Sequence, residues 1–247
     1  MNIVKHIPNT ITSMNLLSGV IGVIFALDGR LDIAFPLMLA AAVFDFCDGL
    51  SARLLGAYSE IGKELDSLAD VVSFGVLPSI MLFKTMVLHN GPSFWCLLPL
   101  LLAAFSALRL AKFNLDTRQT TSFIGLPTPS AAMICGSYAY YVQVTEEMTW
   151  LTRLAENNWF IPVLAIGLSL LLISEIPMFG MKFGKGHKAD ALENIQRIGF
   201  LSLIALITII VVVTRNNWSL IVFSSFIMYI IMNILFAFRF MRKSSEK

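Results

Sequence analysis

Four aspartates fall in one stretch of the chain at spacings that a helix turns into faces. Asp45 and Asp48 stand three residues apart, with Ala52 on the same face a turn later, while Gly62, Asp66 and Asp70 recur every fourth residue. On α-helices such intervals align side chains along one stripe. If the two segments lie antiparallel, the stripes face each other and bring the four carboxylates together. Charges this close repel one another, and within the stretch Arg53 alone belongs to the same pattern as an offset, so divalent cations are the natural counterweight. An all-oxygen donor set without His or Cys suits Mg²⁺, Mn²⁺ or Ca²⁺ and disfavours zinc and copper. Gly49, Ala52 and Gly62 leave room on the acidic face for a bulky ligand or for close helix packing. A carboxylate-lined cleft holding two metal ions suits phosphoryl chemistry, in which metals bridge phosphate oxygens and stabilise charge during in-line displacement. A lone aspartate near a helix end is usually an ordinary interfacial carboxylate. Four at these intervals, with glycines between them, are better explained by a site.

The elements that must hold these residues are membrane spans. Of 247 residues, 57% are hydrophobic and only 14% charged, where a soluble domain carries about 25%; the mean hydropathy is +0.76. This charge supply cannot coat a compact soluble globule, which excludes soluble, disordered and disulfide-scaffold classes. The net charge of +2 gives no support for nucleic-acid binding. The three cysteines, Cys47, Cys96 and Cys135, lie in or beside apolar runs without CxxC spacing and read as structural thiols. A spanning helix needs about 20 apolar residues, and eight stretches qualify, roughly 10–27, 32–54, 62–88, 93–113, 126–145, 158–177, 194–214 and 217–238. The expected fold is therefore all-α and polytopic, one membrane domain over 1–247 with a short segment 1–9 before it and a basic tail 239–247 after it. Eight spans put both termini on one side. That side holds 14 of the 18 Lys and Arg residues, against Arg30, Lys84, Arg153 and Arg215 on the other, so the termini and the acidic helix ends are expected in the cytoplasm. The cluster at 182–188 and the basic tail read as topology determinants that also attract anionic lipid. His6, His89 and His187 show no ligand spacing.

Read as a pattern, Asp45-x2-Asp48-Gly49-x2-Ala52-Arg53-x8-Gly62-x3-Asp66-x3-Asp70 resembles the signature of the CDP-alcohol phosphatidyltransferases at every fixed position. The resemblance implies an integral membrane enzyme that binds a CDP-linked lipid and two divalent ions, Mg²⁺ or Mn²⁺, and transfers its phosphatidyl group to a hydroxyl acceptor with release of CMP. It implies Asp45, Asp48, Asp66 and Asp70 as metal ligands, Asp70 also as the base, and Gly49, Ala52, Arg53 and Gly62 as the lining of the CDP pocket. Three further stretches are similar to the phosphatidylserine synthase branch: Pro8 to Asn15 running into Gly19, Leu68 to Pro78, and Leu108 to Asn114 followed by Phe123 to Pro129. The two spans at 194–238 fit this branch, which is longer than the family core at 10–177. The implied substrates are CDP-diacylglycerol and L-serine, the implied assembly a homodimer, and the implied location a bacterial inner membrane with a cytoplasmic site.

Arg109 and Lys112 form a cationic pair at i,i+3 near a cytoplasmic helix end, fit to bind either the diphosphate or the carboxylate of an amino-acid acceptor; basic residues in such places also serve simply to snorkel. Asn114 and Ser73 are candidates for neutral hydrogen bonds to the acceptor. Other acceptors, glycerol 3-phosphate or inositol phosphate, would demand cations as well. An ion or metal transporter is the alternative of another class, since acids within membranes also mark ion pathways; the acids' clustering toward one interface and the absence of an internal repeat speak against it.

Overall fold

The computed structural model of the protein describes residues 6–116, 123–179 and 191–245. It is a helical membrane fold. α1 (Ile7–Leu27) and α2 (Leu31–Leu55) are joined by the short turn at 28–30 and pack closely along each other. α3 (Glu60–Asp70) passes through a π-helical turn (Val71–Val76) into α4 (Leu77–Asn90), one rod of 31 residues. A 3₁₀ segment (Phe94–Leu100) opens into α5 (Leu101–Leu115). Then follow α6 (Thr128–Val144), the short α7 (Trp150–Ala155), α8 (Phe160–Ile173), α9 (Ala191–Val213) and α10 (Ser219–Ser245). Two-residue strands, β1 (Phe123–Ile124) and β2 (Pro177–Met178), pair antiparallel beside the helices.

Each of the eight apolar stretches expected from the sequence corresponds to a helical rod, but the rods differ in length. Among the described residues, six helices are long and apolar enough to cross a membrane. α6 has 17 residues and α8 has 14, below the roughly 20 of a full span. For α6 the reason lies in its place: 13 of its 17 residues are buried, and it packs against α2, α4 and α10. A helix enclosed by other helices need not present a lipid-facing surface of full length. The outer rods show the complement, with Leu17, Ile24, Ile209 and Val213 all more than half exposed toward the bilayer. All four tryptophans, Trp95, Trp150, Trp159 and Trp218, lie at the helix ends remote from the aspartates and are exposed, as in an interfacial aromatic belt. α10 continues as helix to Ser245, through most of the expected basic tail. Arg118 and the basic cluster at 182–188, with His187, lie outside the described residues.

The acidic stripes are set by one tight hairpin. Gly56 closes α2 in the left-handed conformation, at φ 59°, and its amide donates to the Ala52 carbonyl; only glycine adopts this conformation at no steric cost. Ser59 then opens α3 by accepting the Gly62 amide at 3.0 Å, a side-chain N-cap. Immediately after Asp70 the helix widens: the Leu77 amide donates to Val72, five residues back, ahead of Pro78, which has no amide to give. Such π turns frequently mark functional sites. Here the widened turn packs against α1 and α5.

Candidate active site

The hairpin brings the carboxylates together. One oxygen each from Asp45, Asp48 and Asp66 lies within 4.8 Å of the other two, and the Asp45 carboxylate also sits against Asp70. Asp48 and Asp70 are nearly buried, at 6% and 8% exposure. Among the described residues no Lys or Arg comes within ion-pair distance of any of the four. Burying like charges without a counter-charge is strongly unfavourable. Asp66 adds a second sign of a missing partner, because its buried Oδ1 accepts no hydrogen bond. Converging oxygen donors, an orphaned carboxylate oxygen and no basic partner among the described residues fit hard divalent cations, held by Asp45, Asp48 and Asp66 with Asp70 adjoining.

A cleft of about 220 Å³ opens beside these acids. Asp48, Asp66, Gly49, Ala52 and Gly62 line it from the hairpin, Pro8, Asn9 and Thr12 from α1, and Tyr58, Ser59 and Lys63 from the turn and α3. Gly49 faces open space, since an added Cβ would meet no atom within 4 Å. Gly62 is a close approach: a Cβ there would lie 2.9 Å from the Asn9 side-chain oxygen. Arg53 is exposed outside this lining, its Nε donating to the Gly49 carbonyl at 3.0 Å.

The helix α1, whose Pro8 to Asn15 entered the sequence reading only as a stretch similar to the family branch, contributes contacts to the acids. Thr12 donates to Asp48 Oδ2 at 2.6 Å and Asn15 donates to Asp70 Oδ1 at 3.4 Å, so α1 orients one acid on each partner helix. The available signal was the run of polar residues, Asn9, Thr10, Thr12, Ser13, Asn15 and Ser18, along one hydrophobic span. Tyr58 and Lys63 of the cleft carried none.

The acceptor candidates are divided by the structure. Arg109 is buried on α5 at 7% exposure, close enough to Asp70 to feel its charge. Its Nη1 donates to Thr128 Oγ1 at 3.0 Å, while Nε has no partner. Lys112 points to the exposed side of the same helix, and both line a small pocket of about 60 Å³ with Ser174 and Glu175. Asn114 ties α5 to the acidic helix, its amide donating to Ser67 Oγ at 2.9 Å and its carbonyl accepting from Lys63 at 3.2 Å. Ser73 is fully buried in the π turn and donates to the Asn15 carbonyl at 3.1 Å, so its hydroxyl joins α1 to that turn.

Comparison with known proteins bears on this geometry. A family model described as CDP-alcohol phosphatidyltransferase matches residues 5–173. The chain is 38% identical over 180 residues to the CDP-diacylglycerol–serine O-phosphatidyltransferase of Mycobacterium leprae, a match covering 70% of this chain and 57% of that protein. It is 34% identical over 194 residues to the Bacillus subtilis protein of the same description, covering 77% of this chain and 97% of that one. An archaetidylserine synthase of Methanothermobacter thermautotrophicus is 36% identical over 140 residues, 53% of this chain and 57% of that protein. The match thus spans less than two thirds of the mycobacterial relative and nearly all of the Bacillus one.

Proposed function

The chain belongs to the CDP-alcohol phosphatidyltransferase family, and from that premise we infer that it transfers the phosphatidyl group of CDP-diacylglycerol to the hydroxyl of L-serine, giving phosphatidylserine and CMP. The observation that carries the reading is the convergence of Asp45, Asp48 and Asp66 oxygens within 4.8 Å, beside a cleft at a helix end. Serine as acceptor is supported by relatives whose descriptions differ in the lipid but share serine.

Two divalent ions, Mg²⁺ or Mn²⁺, bound by the aspartates would neutralise diphosphate oxygens as charge builds in the transition state. The protein's own groups do the rest. Gly49, Ala52 and Gly62 admit the CDP headgroup to the cleft, where Lys63 and the exposed Arg53 stand at its rim as cations for the diphosphate. Arg109 takes the carboxylate of serine with its unpartnered Nε edge, a planar donor pair suited to carboxylate. Asp70, oriented by Asn15, accepts the serine hydroxyl proton as the oxygen attacks the β-phosphorus, and CMP leaves as the bond to that phosphorus breaks. Lys112 and Asn114 support the acceptor side, and Ser73 holds the π turn that aims Asp70. The site faces the cytoplasm of a bacterial inner membrane, where CDP-lipid and free serine meet, and the enzyme works as a homodimer.

The test is CMP release from CDP-diacylglycerol in detergent with Mn²⁺, assayed against serine, glycerol 3-phosphate and inositol phosphate. Turnover with serine alone is expected. Turnover with glycerol 3-phosphate but not serine would refute the acceptor and leave the transferase chemistry standing, and no CMP with any acceptor would remove the chemistry too.

A further inference from the structure

The helices α9 and α10 lie beyond the family match at 5–173, yet α10 reaches the acceptor side of the site. Tyr229 and Asn233, one turn apart on α10, are 6% and 2% exposed. Polar side chains in an apolar span are costly unless every donor and acceptor finds a partner. These two spend their hydrogen bonds on a single loop residue and on each other. The Tyr229 hydroxyl donates to the Phe179 carbonyl at 2.9 Å, the Asn233 side-chain oxygen accepts the Phe179 amide at 2.8 Å, and the Asn233 amide donates to the Tyr229 carbonyl at 2.7 Å. The Phe179 ring packs edge-on against Tyr229 at 5.1 Å and against Phe200 of α9 at 5.7 Å. Both backbone polar groups of Phe179 and its ring are therefore gripped by the last two helices.

From Phe179 the restraint runs to Arg109. Phe179 directly follows β2, which pairs with β1. Next to β1, Gly125 stands at φ 75° with its amide donating to the Ile176 carbonyl at 2.9 Å. Its approach to the chain after α8 is so close that a Cβ would lie 2.7 Å from the Leu172 and Ser174 carbonyls. Three residues later Thr128 begins α6 and accepts the Arg109 guanidinium at 3.0 Å. Tyr229 meanwhile lies near enough to Arg109 for the two to be coupled electrostatically.

The geometry points to Tyr229 and Asn233 as positioning residues that hold Arg109 in place for the acceptor's carboxylate; this rests on the reading of Arg109 given above. A guanidinium free to swing beside four carboxylates would pair with Asp70, which would both occupy the base and withdraw the cation from the acceptor. Anchored through Thr128, Arg109 keeps its unpartnered Nε edge for the acceptor and leaves Asp70 to take the proton. The two helices beyond the family match thereby bear on acceptor choice.

The experiment uses the full chain in detergent with CDP-diacylglycerol and serine. Tyr229→Phe keeps the ring and its packing and removes the hydroxyl. It should raise the serine KM about fivefold, in keeping with the net worth of one buried hydrogen bond, with kcat and the CDP-diacylglycerol KM within about twofold of wild type. Asn233→Ala should act in the same direction, and Tyr229→Phe should add little in an Arg109→Lys background, as expected of groups that act as a unit. If Asn233→Ala fails to fold, Tyr229→Phe carries the test. A folded Tyr229→Phe enzyme with an unchanged serine KM overturns the proposal, as do equal increases for both substrates, additivity with Arg109→Lys, or a loss of thermal stability alone. A wild-type enzyme that ignores serine would strike the acceptor reading. A wild-type enzyme that uses serine while Tyr229→Phe leaves its KM unmoved would strike the positioning role alone.

Discussion

Asp48 takes its orientation from Thr12 and Asp70 from Asn15, so α1 decides where two of the four carboxylates point. The cluster has no basic partner of its own within ion-pair distance among the described residues, and its chemistry should follow metal supply. Exhaustive dialysis against EDTA should abolish CMP release, and added Mn²⁺ or Mg²⁺ should restore it. Because the ions bind only the folded site, they should also stabilise it, by about 2.7 kcal/mol at roughly a hundred times Kd. A melting curve in detergent without substrate reads this directly, and a midpoint indifferent to metal would argue against the site. Asp70→Asn keeps the Asn15 contact and loses the proton acceptor. Turnover should fall at least about a hundredfold while CDP-diacylglycerol binding, measured by CMP-competable retention, persists. The four aspartates were legible in the sequence because helical spacing alone converts them into facing stripes. Thr12 and Asn15 were not argued as site residues, because α1 carries six Asn, Thr and Ser residues and each has many possible partners until the neighbouring helix is placed.

The hairpin between α2 and α3 is the element on which the site depends. Gly56 holds φ 59° in its turn, and a Cβ there would meet no atom within 4 Å. The penalty for a side chain is thus backbone conformation alone, and Gly56→Ala should cost about 1–2 kcal/mol. A lower melting midpoint in detergent, together with weaker metal response, is the expected result; an unshifted midpoint would show that the turn adapts freely. Hydropathy located the rods because each presents or buries a long apolar run. It could not separate α6, which is buried by protein on nearly all sides, from a span that faces lipid. Nor could it show the π turn at Val71–Val76 or the β1–β2 pairing, since both depend on what packs beside them.

Over the whole molecule, charge and aromatic side chains divide in the same way. The exposed tryptophans gather at the end remote from the aspartates, while 14 of 18 Lys and Arg residues belong to the other side of the eight expected spans. In a background freed of native cysteines, Tyr58→Cys should therefore label from the cytoplasm and Glu147→Cys from outside; the reverse pattern would turn the protein over. The cleft's place at the end of α2 has a further consequence. Phe46, Leu50 and Leu54 are exposed along the same helix, at 64%, 39% and 77%, so a lipid whose headgroup enters beside Gly49 keeps its chains among the neighbouring acyl tails. The substrate then arrives by lateral diffusion, and its effective concentration is an areal density. Adding inert detergent at a fixed amount of CDP-diacylglycerol should slow the enzyme in proportion to the dilution of lipid within the micelle surface, while the response to serine, which arrives from the water, stays where it was.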